Sequence, residues 1–223
     1  MTSPLSFRLF KALKRVTLTS SLCLMLFNGG LYAQEVKSVL INHGEALEPW
    51  AMSLQFGQTK IENKQAKTTK SSLVASVSDG DVNAINFVWR PRGVKNQWGS
   101  EDKSVSTLNV INSQYATDLT TASKNMALLL NLRINKAPNK HVELSMECNW
   151  DWQCRSTIPL KSMLKGLPQN EWLNVPVPVK CFDDGNFDLS KVTTPFILYT
   201  GGRMDIDIRS ISLITLPEGA FGC

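Results

Sequence analysis

Two tryptophans stand two residues apart between two cysteines, in Cys148-Asn149-Trp150-Asp151-Trp152-Gln153-Cys154. An indole offers a flat apolar face with one N–H donor, and the C–H face of a pyranose ring stacks on such a surface. A disulfide closing this polar loop would hold the platform without an ordering cost on binding. The competing reading is that the indoles fold back over an edge of the protein, as amphipathic side chains do. A third loop tryptophan, Trp98, lies in Lys95-Asn96-Gln97-Trp98-Gly99-Ser100, with Arg90 and Arg92 shortly before it. Together they could stack on a glycan and hydrogen-bond to it, although a single exposed aromatic is ordinary on any surface. Trp50, Trp89 and Trp172 fall in strand-like stretches and are expected in the core.

A second constellation is Asp183-Asp184-Gly185-Asn186-Phe187-Asp188, where Asp183, Asp184, Asn186 and Asp188 gather oxygen ligands around a glycine. This is material for a structural calcium loop, although the spacing is not that of an EF-hand. The same residues also make ordinary tight turns. No other cofactor is implied. No Gly-x-Ser-x-Gly elbow, His-Glu-x-x-His helix or phosphate-cradling glycine loop occurs. A glycosidase carboxylate pair leaves no linear motif, since its acids need only lie about 5 to 9 Å apart in space. Nothing in the sequence points to such a pair, so no catalytic residue is assigned and the chain is expected not to be an enzyme.

Residues 1–33 have the order of a secretory signal: Arg8, Lys11, Lys14 and Arg15, an apolar run from Val16 to Phe27, then Leu31-Tyr32-Ala33. Cleavage after Ala33 would leave residues 34–223 in the periplasm or outside the cell. The run of about 12 residues is too short to span a bilayer that needs roughly 20, and no later stretch comes closer. Cys23 follows Ser20-Ser21-Leu22 rather than a small residue, so no lipid anchor is expected. The leader holds four of the 24 Lys and Arg and none of the 19 Asp and Glu, which leaves 20 against 19 beyond it. The overall basic balance therefore belongs to the leader, and a nucleic-acid partner is not expected. Beyond the leader, Cys148, Cys154, Cys181 and Cys223 form an even set for an oxidising compartment. Four cysteines allow three connectivities. Cys148 with Cys154 and Cys181 with Cys223 is the favoured one, and the sequence leaves the others open. The spacings match no zinc motif, and His43 and His141 lie away from the cysteines.

The elements that must position these residues read as strands. Ile85, Phe87 and Trp89 alternate with Asn86, Val88 and Arg90 behind an Asp79-Gly80-Asp81 turn; Leu128, Leu130, Leu132 and Ile134 alternate with Asn131 and Arg133. Leu173, Val175, Val177 and Val179 alternate with Asn174, Pro176 and Pro178, and prolines that cannot donate to a ladder place this strand at a sheet edge. Met204, Ile206 and Ile208 share one parity while Ile211 and Leu213 take the other, which predicts a β-bulge at Arg209-Ser210. Only Leu160–Leu167 reads as a helix, and Glu62–Ser72 reads as a solvated, lysine-rich loop. Residues 34–223 are a suitable length for one all-β sandwich domain.

Several stretches resemble the galactose-binding-like domain at the C-terminus of ExoP-type glucan glucosidases of glycoside hydrolase family 3. They are Glu48-Pro49-Trp50, Asn86-Phe87-Val88-Trp89, Leu132-Arg133-Ile134, Leu144-Ser145-Met146-Glu147-Cys148, Val177-Pro178-Val179-Lys180-Cys181-Phe182 and Asp188-Leu189-Ser190-Lys191-Val192-Thr193-Thr194-Pro195-Phe196. The resemblance implies a jelly-roll-like β-sandwich of the carbohydrate-binding kind. It does not extend to the catalytic domains of those enzymes, so no hydrolase nucleophile or acid is carried over. The family pattern has a glycine where this chain has Asn149, and it lacks the paired tryptophans. The expected function is non-catalytic binding of a polysaccharide or oligosaccharide. The alternatives are a module that docks on a glycoside hydrolase and, third, a small glycosidase.

Overall fold

The computed structural model describes residues 39–216; the expected leader and Cys223 lie outside the described residues. The first half of the chain forms β1 (Val39–Asn42), β2 (Glu45–Ala46), β3 (Trp50–Leu54), β4 (Thr59–Lys60), β5 (Ala66–Lys67), β6 (Leu73–Ser78), β7 (Asp81–Trp89) and β8 (Thr107–Asn112). A short helix α1 (Ala122–Asn125) leads into β9 (Met126–Lys136), β10 (Val142–Cys148) and β11 (Asp151–Pro159). Helix α2 (Lys161–Gly166), where the sequence predicts one, precedes β12 (Trp172–Pro178), β13 (Val192–Thr200) and β14 (Met204–Thr215). Among the described residues no helix is long and apolar enough to cross a membrane.

Two antiparallel sheets form. One has the order β12-β9-β14-β7-β6-β5, with β1 on β14 and β2 on β1; the other has the order β11-β10-β13-β8-β3-β4. The central neighbours, β9-β14-β7 in one sheet and β10-β13-β8-β3 in the other, are distant in sequence, as in a jelly roll. Alternation decides what faces inward. Ile85, Phe87 and Trp89 of β7 and Leu128, Leu130, Leu132 and Ile134 of β9 pack against Leu108, Val110, Leu144, Met146, Phe196 and Leu198 of the second sheet. At roughly 1.5–3 kcal/mol for each fully buried side chain of this size, the apolar faces hold the two layers together. The register of β14 on β9 shifts between Ile208 and Ser210, so Ile206 and Ile208 on one side of the bulge and Ile211 and Leu213 on the other all reach the core. β12 is an edge strand, consistent with its prolines.

Two expectations are corrected. Residues 62–72 are not one solvated loop: β5 pairs with β6, and buried Thr68 donates to the Val105 carbonyl at 2.7 Å and accepts from the Leu73 amide at 2.9 Å. That hydroxyl takes up backbone groups that burial would otherwise orphan. Trp50 and Trp89 are buried as expected, but Trp172 is only half-buried on the outer face. The inward residues of β12 include Val175 and Val177, so Trp172 has outward parity; there its ring lies 4.0 Å from the Arg209 guanidinium and 5.2 Å from that of Arg133.

Candidate functional site

The segment between Cys148 and Cys154 is the tip of a β-hairpin. Asn149 and Trp150 have φ of +55° and +53°, the left-handed pair that a two-residue hairpin turn demands. Glu147 pairs with Arg155 but Cys148 pairs with Asp151, so Trp152, Gln153 and Cys154 bulge out of β11. A Cys148–Cys154 disulfide ties that bulge back to β10. The predicted closed loop is thus a pinned turn and bulge. Cys181 is also disulfide-bonded; the partner expected for it, Cys223, lies outside the described residues.

Both hairpin indoles reach solvent, with Trp150 49% and Trp152 72% exposed. Trp150 is held on two sides: its amide donates to Thr193 Oγ1 at 3.1 Å, and its indole Nε1 donates to the Asn112 carbonyl at 2.9 Å. Its ring therefore spans from the hairpin past the start of β13 to the end of β8. Asn112 pairs across the sheet with Trp50 of β3. There β4 pairs only with Ser53 and Leu54, and no strand pairs with the outer edge of β3 from Trp50 to Met52, where the Trp50 amide donates to the Leu47 carbonyl at 2.9 Å. An open cleft of about 710 Å³ lies along this edge, lined by Trp50, Ser53, Lys60, Ile61, Lys64 and Ser113 among others. Behind its wall Trp50 Nε1 and Ser53 Oγ are buried without a hydrogen-bond partner; on the neighbouring strand β8, outside the cleft lining, Asn109 Oδ1 opposite Ser53 and the Asn112 side-chain nitrogen are in the same state.

Arg90, Arg92 and Trp98 lie elsewhere. β10 starts at Val142, opposite Thr200, and ends at Cys148, opposite Val192. From Thr200 the chain turns through Gly201–Arg203 into Met204, which pairs with Trp89, the residue before Arg90. The arginines and their loop thus stand at the end of the sandwich opposite the disulfide hairpin. Trp98 is 81% exposed on a loop closed by a Lys95–Glu101 bridge and by Asn96 Oδ1, which accepts from the Trp98 and Ser100 amides at 2.9 and 3.0 Å. The five candidates divide between the two ends of the sandwich rather than gathering at one. Sequence reading missed Lys136 and Arg203, which line a pocket with Arg90 and Arg92. Their parity beside Asp205 was the only available signal, and it needs the register of β9 on β14 to be read.

The 183–188 turn uses its oxygens locally. Asp184 Oδ1 accepts from the Asn186 and Phe187 amides at 3.0 and 3.1 Å, and Asp188 Oδ1 from the Ser190 amide and hydroxyl at 3.0 and 2.5 Å. The Ser190 hydroxyl holds the Asp188 carboxyl below its ordinary value. Among the described residues no group of three or more His, Cys, Asp or Glu is placed to hold a metal ion, so the structure does not bring Asp183, Asp184 and Asp188 together as a calcium cage. Glu143 and Glu147 share a face of β10, but four residues of strand separate them by about 13 Å, beyond the 5–9.5 Å of glycosidase pairs. Glu147 is in addition ion-paired with Arg155 at 2.5 Å.

The Exop_C family profile, described as galactose-binding domain-like, matches residues 48–213. The chain belongs to this family. Its fold is accordingly the galactose-binding-like β-sandwich, and solved structures agree. The extra C-terminal domain of the exo-1,3/1,4-β-glucanase ExoP from a Pseudoalteromonas species is 16% identical, with a TM-score of 0.57 over 82% of this chain and 95% of that domain. In the structure of the ExoP enzyme, this galactose-binding-like chain matches 21% of the length, with 16% identity, 82% of this chain covered and a TM-score of 0.55. A family 30 carbohydrate-binding module is 10% identical, with a TM-score of 0.48 over 84% of this chain and 88% of the module. No curated protein sequence matches the chain.

Proposed function

We propose that the protein is an exported, non-catalytic carbohydrate-binding module whose glycan site is the Trp150–Trp152 hairpin and the cleft beside it. The observation that carries this reading is the pair of exposed indoles on a disulfide-pinned hairpin, beside an open cleft lined by Glu45, Lys60, Asn63 and Ser113 among others. Stacking on the indoles supplies affinity for a sugar face, and the polar side chains lining the cleft supply partners for its hydroxyls. Family membership supports the reading, since a domain of this family accompanies a β-glucanase in the Pseudoalteromonas enzyme. The same association supports a second reading, docking on a glycoside hydrolase. Export to the periplasm or beyond is supported by the order of residues 1–33 and by a disulfide, which persists in an oxidising compartment.

The test is affinity electrophoresis and pull-down of the purified, oxidised protein on a panel of soluble and insoluble glucans and galactans, with sugar release assayed in parallel. Binding without release is expected. The double substitution Trp150→Ala/Trp152→Ala should weaken it by about tenfold or more, the scale of losing one or two aromatic stacking contacts. Undiminished binding by that variant would remove the hairpin from the site. Absence of binding across the panel would favour the docking module, and released sugar would make the protein an enzyme.

A further inference from the structure

At the other end of the sandwich, Lys136 of β9 pairs with Asp205 of β14, and Asp205 pairs with Val88 of β7. Period-two alternation carries Arg90 onto the side of Val88 and Arg203 onto the side of Asp205. Arg90, Arg92, Lys136 and Arg203 line one pocket of about 320 Å³, with Asp205 as its only acidic group. The Asp205 carboxylate is already engaged, its Oδ1 accepting from the Asn86 and Asn135 amides at 2.7 and 3.1 Å. None of the four cationic side chains makes an ion pair or hydrogen bond among the described residues. Four like charges repel one another in so small a space, an arrangement that favours an anion between them. It does not reflect a generally basic surface, because residues 34–223 hold 20 Lys and Arg against 19 Asp and Glu.

We infer that this pocket is a second binding site, for a sulfate or carboxylate group carried on an acidic polysaccharide. Arginine recognises both groups through paired N–H donors, and two of the three arginines come from a single loop. The same loop carries Trp98 outside the pocket lining, 81% exposed and fixed by the Asn96 turn, a stacking face for a further sugar of a chain that extends beyond the pocket. An exposed indole on the same loop as two of the cations favours an anion carried on a polysaccharide over a free inorganic anion. The volume is at the small end of ligand pockets, the scale of one substituted sugar rather than a long chain. The site is independent of the Trp150–Trp152 hairpin, so either assignment can fail alone.

The experiment is affinity electrophoresis of the oxidised protein in gels containing a sulfated galactan, a polyuronate or a neutral β-glucan, each at low and high salt. Retardation by at least one acidic gel is expected, falling as salt screens the contacts. Arg90→Gln/Arg92→Gln should weaken it about tenfold, and Lys136→Gln/Arg203→Gln similarly, since each pair removes two charge-assisted contacts. All four side chains are exposed, so the fold is not at stake. The arginine variants should leave neutral-glucan binding unchanged. Preference for the sulfated gel or the polyuronate identifies the anion. No retardation by either acidic gel, equal retardation of the arginine variants, or stronger binding to duplex DNA or anionic lipid vesicles than to both acidic polysaccharides would overturn the assignment.

Discussion

Tyr199 shows how a side chain on the outward face of a strand can still be buried. It sits on β13, whose residues are all buried, with His141 5.5 Å from its ring centroid and the Lys103 ammonium 5.4 Å above it. Burial pushes its phenol up to about 12, and the Glu101 and Glu143 carboxylates add to the shift by disfavouring a third negative charge. The folded state therefore keeps the proton after the unfolded chain releases it near the ordinary value of about 10. Stability from this group is intact below pH 10 and falls as pH rises from 10 toward 12. Phenolate absorbance should show Tyr199 ionising later than free tyrosine, and Tyr199→Phe should flatten the alkaline decline in urea stability; an unchanged decline would refute the assignment. Asp207 is the opposite case, a fully buried carboxylate on a sheet face, satisfied by Arg133 Nε at 2.8 Å and by the Asn86 and Asn135 amides at 3.0 and 2.8 Å. Neither environment was legible in the sequence, because both depend on partners more than fifty residues away.

Strand parity, in contrast, could be read directly. The inward faces of β7 and β9, the edge position of β12 and the bulge in β14 follow from alternation and proline chemistry, which are local. The hairpin tip was read as a loop because Asn-Trp is not one of the glycine-containing pairs that usually mark a two-residue turn, and only pairing across β10 and β11 revealed it. Glycine gives an element-scale test. Gly44, in the turn between β1 and β2, has φ +71°, and a Cβ there would lie 2.7 Å from backbone atoms of Ala84 and Ile85 in β7. Gly80 has φ +72° with nothing within 4 Å of that position. Gly80→Ala should cost about 1 kcal/mol, the left-handed penalty alone. Gly44→Ala should cost at least about 2 kcal/mol, because β7 backbone must also move. Equal losses in chemical denaturation would show that the β1–β2 turn does not press on β7.

Across the whole molecule, the length of the strands separates the disulfide hairpin from the arginine loop. β10 alone, at seven residues, spans about 20 Å between the arginine end and the disulfide hairpin. Substitutions at the two ends share no partners, so the stability changes of Trp150→Ala/Trp152→Ala and Arg90→Gln/Arg92→Gln should add to within about 0.5 kcal/mol in thermal unfolding. A larger deviation would mean that the two ends communicate through the core. The sequence by itself determined the all-β class, the inward faces of β7 and β9, the edge strand and the bulge, and it favoured the short-range Cys148–Cys154 pairing among the three connectivities. Each rests on interactions between residues close in the chain. Only the tertiary structure decided that Trp172 faces outward, that the five candidate residues divide between opposite ends, and that Lys136 and Arg203 join Arg90 and Arg92. Those facts depend on which strands lie side by side and in what register, and long-range pairing in a jelly roll leaves no trace in local pattern.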